Sequence, residues 1–189
     1  MKKILLILVI FVSLNSFCQI EAGKNWPRSI QKDFELIKEQ NIDTFLIYYS
    51  YLGPWTNLPD LCNGIPSVWV LWIKNKGCFA KQLFCDSTAN NTISISSVPF
   101  DFFICHIKDF ELREKYVEKI KKEHKFFPPI PTDGSWEYLY FITSKSSNYL
   151  NLSEYQRIDT IWKQFPWITP TIDAIDTTVF ELHRNKNVR

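Results

Sequence analysis

Glycine is scarce in this chain, with 5 in 189 residues, and methionine occurs only as the initiator. No G-x-G-x-x-G, P-loop or G-x-S-x-G pattern occurs, so no dinucleotide cradle, phosphate loop or nucleophile elbow is signalled. There is no HExxH, and the close-spaced Cys-x-x-Cys pairs of zinc sites are missing. An excess of one charge is missing as well. Lys and Arg number 22 against 20 Asp and Glu, and the surplus is Lys2 and Lys3 at the N-terminus. Without those two the balance is even, which leaves no electrostatic footprint for nucleic acid or an anionic membrane. Lys119, Lys121 and Lys122 are interleaved with Glu118 and Glu123, and His183-Arg184-Asn185-Lys186 reads as a solvated end. Internal repeats, low-complexity tracts and an obvious linker are also missing. One domain is therefore expected over residues 19–189, long enough to bury a sizeable core.

What is present begins with the leader. Lys2 and Lys3 precede an apolar run, Ile4–Leu14. Ser16 and Cys18 then place small residues at −3 and −1 if cleavage falls between Cys18 and Gln19. This is the layout of a secretory signal peptide, removed from the folded product. The expected location is exported: periplasm, cell surface or medium. The apolar run is shorter than the roughly 17–25 residues of a membrane anchor, so the mature chain is expected to carry no membrane span. A lipoprotein anchored at Cys18 is the weaker alternative, because Leu14 lies early and bulky Phe17 sits where a lipobox takes a small residue. The leader and the Lys-, Asn- and Ile-rich composition resemble those of exported proteins of AT-rich bacteria, a resemblance that implies no activity.

Aromatic residues make up 16% of the chain, and aromatic and β-branched runs favour strands. A helix is expected from about Pro27 to Gln40, with Ile30, Phe34 and Ile37 forming one apolar stripe. A strand follows at about Asp43–Tyr51, with Phe45, Ile47, Tyr49 and Tyr51 on one face. Gly53 to Pro66 reads as an irregular loop. Ser67–Lys74 is apolar on both faces: Val68, Val70 and Trp72 on one, Trp69, Leu71 and Ile73 on the other. That suits a central strand covered on both sides. Asn75-Lys76-Gly77 supplies the turn of a hairpin to a partner strand Cys78–Cys85. Thr92–Ser97 suggests a short edge strand, and Pro99–Ile107 fits either a strand or a helix. Asp109–His124 reads as a helix, with Leu112, Tyr116 and Ile120 beside Val117. Trp136–Thr143 reads as a strand. Ser153-Glu154-Tyr155-Gln156 is a capping box opening a helix to about Phe165. Thr177–His183 reads as a last strand. The expectation is an α+β domain with a mostly antiparallel sheet and about three helices.

Four cysteines follow the leader: Cys62, Cys78, Cys85 and Cys105. An even number in an exported protein suggests disulfides, with three possible connectivities; zinc binding and buried free thiols are the rivals. In the hairpin, Cys85 lies opposite about position 67, and Cys62 is only five residues upstream in a loop able to fold back. Cys78 sits seven steps of about 3.3 Å from Cys85, out of disulfide reach. Cys62–Cys85 is therefore expected, with Cys78–Cys105 as a weaker second bridge.

The histidines His106, His124 and His183 fall in no ligand spacing. Asp173 and Asp176, preceded by Asp159, bring carboxylates close in sequence. No catalytic, cofactor-binding or metal-binding residue is signalled, and no cofactor is expected. Two functions remain. The leading one is a non-enzymatic exported domain that binds a protein or small ligand. The alternative is an exported hydrolase whose Asp101, His106, Asp173 or His183 meet only in three dimensions. The positions of Trp55, Trp136 and Trp167 should discriminate, since an aromatic patch favours binding and a cleft joining His to carboxylates favours chemistry.

Overall fold

The computed structural model describes residues 23, 25–52, 62–86, 90–123, 128, 130 and 134–186. The leader with Cys18 and Gln19, Trp55, His124 and the side chains of Val117 and Ile120 lie outside the described residues. In chain order the elements are α1 (Arg28–Lys38), β1 (Thr44–Tyr51), β2 (Ser67–Lys74), β3 (Gly77–Phe84), β4 (Ile93–Ile95), α2 (Val98–Cys105), α3 (Ile107–Lys122), β5 (Trp136–Thr143), β6 (Ser147–Ser153), α4 (Glu154–Ile158), a 3₁₀ segment (Thr160–Gln164) and α5 (Ile168–Lys186). All strands form one antiparallel sheet in the order β4-β3-β2-β1-β5-β6. The fold is α+β. After β4 the chain crosses back through α2 and α3 to lay β5 beside β1.

The two-faced pattern of β2 explains the layers. Val68, Val70 and Trp72 join one core with Ile30, Phe34 and Ile37 of α1. Trp69 and Leu71 join a second core with Phe100, Phe103, Ile168, Ile175 and Leu182 of the helices behind the sheet. Both faces of β2 are thus dry. Its hairpin is tighter than the sequence suggests. Lys74 pairs with Gly77, so the turn is Asn75-Lys76, with φ values of 51° and 65°. Two central residues with positive φ make the tight hairpin turn that matches the twist of the flanking strands.

Several expectations are corrected. Thr177–His183 is helical, the second half of α5. Its β-branched residues suggest a strand, but Ile168, Thr171, Ile175, Thr178 and Leu182 form one buried stripe. The threonine hydroxyls donate to the carbonyls of Trp167 and Ala174, at 2.7 and 2.8 Å, so their burial leaves nothing unpaired. Packing overrides local propensity here. Strand β6 was not foreseen, because its polar face of Asn and Ser reads as turn. The helix opened by Ser153 stops at Ile158, and the carboxylate of Asp159 caps Ile161 N–H at 3.0 Å to restart the chain as 3₁₀. The α-helices among the described residues number five, not three. Pro99–Ile107 resolves as helix, and Leu112 faces solvent while Tyr116 packs inward.

Helix α5 positions the back layer. Its 19 residues span about 28 Å, and six strands spaced about 4.8 Å apart span about 24 Å. It touches both edge strands, β4 and β6. No helix among the described residues is long and apolar enough to cross a membrane.

Candidate functional site

The register of β1, β5 and β6 places tyrosines side by side. Tyr49 lies opposite Tyr138, Tyr51 opposite Trp136, and Tyr140 opposite Tyr149. Because side chains alternate, all six share the face on which α1 packs. Helix α1 packs on β2 and β3, while at the far edge the Arg113 guanidinium of α3 lies over the Tyr149 ring, 5.9 Å from its centroid. The rings form a ladder. Tyr49 and Tyr138 stack with centroids 4.9 Å apart, Tyr49 and Tyr140 at 6.1 Å, and Tyr140 and Tyr149 at 5.7 Å. Asn151 and Ser147 flank them on the same face. Tyr149, at the far end, is 51% exposed.

At the other end the ladder meets a cavity of about 480 Å³. Trp26, Tyr49, Tyr51 and Tyr138 supply its rings, Asn25 and Asn63 its amides, and Ile65 an apolar patch. None of these described lining residues is charged. Burial, reinforced by a hydrogen bond with Tyr140, pushes the Tyr49 phenol far up; the Trp26 side chain acts weakly against that. Burial first, then the neighbouring phenols Tyr140, Tyr51 and Tyr149, raises Tyr138 as well. Both stay protonated in any physiological compartment. The Trp26 indole N–H is fully buried and makes no hydrogen bond of ordinary geometry among the described residues, despite its influence on Tyr49.

A disulfide anchors one wall. Cys62 and Cys85 are bonded, with Cα atoms 5.2 Å apart. This fixes the turn Asn63-Gly64, where φ is 49° and 73°. Ile65 N–H donates to Cys62 O at 2.7 Å, and Leu52 N–H to Gly64 O at 2.8 Å. Gly64 lies against the Tyr51 ring and the Leu52 carbonyl, where a Cβ would clash. The second expected bridge does not form. Cys78 is buried on β3 and Cys105 is exposed at the end of α2, both as free thiols. Burial raises the Cys78 thiol pKa, and nearby Asp101 adds to this.

The hydrolase candidates are not joined. Asp101 accepts from the Ser97 hydroxyl at 2.7 Å. His106 pairs through Nδ1 with Asp109 at 2.8 Å and stacks on Phe102. Asp173 and His183 are exposed on α5. Asp176 accepts from Arg157 Nη1 at 2.6 Å. Among the described residues no group of three or more His, Cys, Asp or Glu is placed to hold a metal. Trp136 is half-buried beside the ladder, and Trp167 is a core residue.

Two polar clusters went unforeseen. Arg157 donates to Glu137 at 2.7 and 3.2 Å as well as to Asp176, and Tyr48 donates to Glu137 at 3.0 Å. This ties α4 and α5 to β1 and β5. Burial works against the Arg157 charge, but Glu137 and Asp176 outweigh it and raise its pKa. Glu181, 6% exposed, accepts from Ser96 N–H at 2.8 Å and from Asn185 at 3.0 Å. No sequence signal marks these clusters, because their partners are remote. The ladder did leave a signal: tyrosines alternate at Tyr49 and Tyr51 and again at Tyr138 and Tyr140.

Compared with known proteins, the chain matches no family model, and no curated protein or solved structure is significantly similar to it.

Proposed function

We propose that this chain is an exported binding domain, not an enzyme, and that it engages its partner through the tyrosine half of its sheet. The observation that carries this reading is the ladder Tyr49–Tyr138–Tyr140–Tyr149, which runs from a buried end at Tyr49 to an exposed end at Tyr149. Tyrosine offers a large rigid contact area at low rotamer cost, with a hydroxyl for adaptable hydrogen bonding. Asn and Ser between such rings complete a composition typical of recognition surfaces. The Cys62–Cys85 bridge suits an oxidising compartment, and the layout of residues 1–18 supports export with Gln19 as the first mature residue. Among the described residues the hydrolase alternative keeps the His106–Asp109 pair, which is not among the described lining of the tyrosine cavity or of the smaller one beside α1.

The test is retention. Immobilised mature protein should hold a component of the native host's envelope or culture fluid, identified by mass spectrometry. The double variant Tyr140→Ala/Tyr149→Ala should lose it while keeping its circular dichroism and melting transition. Equal retention by both forms, or none by the wild type, overturns the reading. Intact mass of the exported protein checks the rest. A chain starting at Gln19 is expected, whereas acyl chains on Cys18 or a retained leader would replace soluble export with anchoring.

A further inference from the structure

We propose that the cavity between Trp26, Asn63 and Tyr138 takes a neutral saccharide, held through its hydroxyl groups. This rests on the binding-domain reading above and names the ligand of that same surface. At about 480 Å³ the cavity falls within the range of small-molecule sites, roughly 300–1,000 Å³.

Its chemistry selects the ligand. The described lining is entirely uncharged, so an ionic ligand would enter without a counter-charge and lose its hydration uncompensated. A hydroxylated neutral ligand meets no such penalty. Each carboxamide both donates and accepts, as does each phenol, matching the donor-and-acceptor character of a sugar hydroxyl. Asn25 and Asn63 are exposed, and among the described residues their amides make no side-chain hydrogen bond. The aromatic rings and Ile65 provide apolar surface for the C–H face of a pyranose. The neighbouring cavity is a contrast within the same molecule. It measures about 300 Å³ and is lined by Asp33, Lys74 and Lys81.

The site is also pre-organised. Asn63 sits directly after Cys62 of the disulfide and directly before Gly64, whose carbonyl is held by Leu52. Its left-handed backbone, φ 49°, is thus set before any ligand arrives. A backbone fixed before binding lowers the entropy cost of association.

The experiment uses the mature, disulfide-bonded protein. Maltotetraose, cellotetraose and chitotetraose are tested by saturation-transfer NMR and calorimetry, with tetragalacturonic acid as the charged comparison. At least one neutral probe should bind saturably and the charged one should not. Tyr138→Ala and Asn63→Asp should each weaken binding roughly tenfold or more. Asn63→Asp retains a residue suited to left-handed backbone, so it changes the amide and not the turn. Failure of all neutral probes, binding of the charged probe alone, or unchanged binding in both variants overturns the proposal. The host fraction that the immobilised protein retains is treated in parallel with periodate, which cleaves vicinal diols, or with proteinase. Loss of retention after periodate alone supports the saccharide. Loss after proteinase alone sinks it while the binding-domain reading survives. No retention from untreated material sinks that reading itself.

Discussion

Replacing both Cys62 and Cys85 with Ala should cost about 3 kcal/mol of stability. The bridge closes a loop with a sequence separation of 23. On the chain-entropy relation a loop of that size restricts the unfolded state by about 3.5 kcal/mol at 25 °C. Alanine keeps the Cβ of fully buried Cys62 and introduces no polar atom, so the lost cross-link dominates. For a domain of this size each kcal/mol corresponds to about 2–4 °C, so the melting temperature should fall by roughly 6–12 °C. Urea unfolding should show a lower midpoint and a steeper slope, since the unlinked denatured chain exposes more surface. The loss should also be local. Without the bridge the Asn63-Gly64 turn loses its anchor, and amide hydrogens at Leu52 and Ile65, which close that turn, should exchange faster than those of β2. Replacing Cys78 and Cys105 with Ala should leave the disulfide and this local protection unchanged, because neither is cross-linked. A melting shift below about 2 °C, or alkylatable Cys62 and Cys85 in oxidised native protein, would refute the reasoning.

Val70 is fully buried between α1 and the sheet, so Val70→Asp should cost several kcal/mol out of a typical 5–15 and collapse the thermal transition; an unchanged melt would show the strand misplaced. Arg157→Ala leaves Glu137 with Tyr48 as its remaining side-chain partner and frees Asp176; with the guanidinium partly exposed, the expected loss is about 1–2 kcal/mol by urea titration. Burial opposes the Glu181 charge, but hydrogen bonds from Ser96 and Asn185, helped by Arg184, outweigh it and lower its pKa below the ordinary carboxylate value. Its stabilising contribution is therefore present above the unfolded pKa, near 4.3, and lost as pH falls through the folded value. Stability measured by urea titration from pH 7 to pH 3 should decline less steeply in Glu181→Gln than in the wild type, and parallel profiles would count against this role.

The elements legible in the amino-acid sequence are those whose signal is local. Period-two patterning marked β1 and β5, a run apolar on both faces marked β2, the Ile30–Phe34–Ile37 stripe marked α1, and Ser153 with Gln156 marked the start of α4, because each pattern lies within a short stretch of chain. The Cys62–Cys85 bridge was legible for the same reason, since a hairpin register carries one cysteine back to the other. Residues Thr177–His183 were misread because a β-branched run resembles a strand until the sheet beneath it selects the stripe Ile168–Ile175–Leu182. Tertiary structure alone decided the tyrosine site. Tyr49 and Tyr51 on one strand and Tyr138, Tyr140 and Tyr149 on two others give no sign of which tyrosine meets which. Their pairing follows from β5 crossing back to lie against β1, and the exposure of Tyr149 from its place on the edge strand β6, away from the strands β2 and β3 that α1 covers. Likewise Tyr48 and Glu137 are 89 residues apart in sequence and 3.0 Å apart in space. A residue's periodicity is a property of its own segment. What its side chain faces is set by the register of strands that the chain joins only on folding.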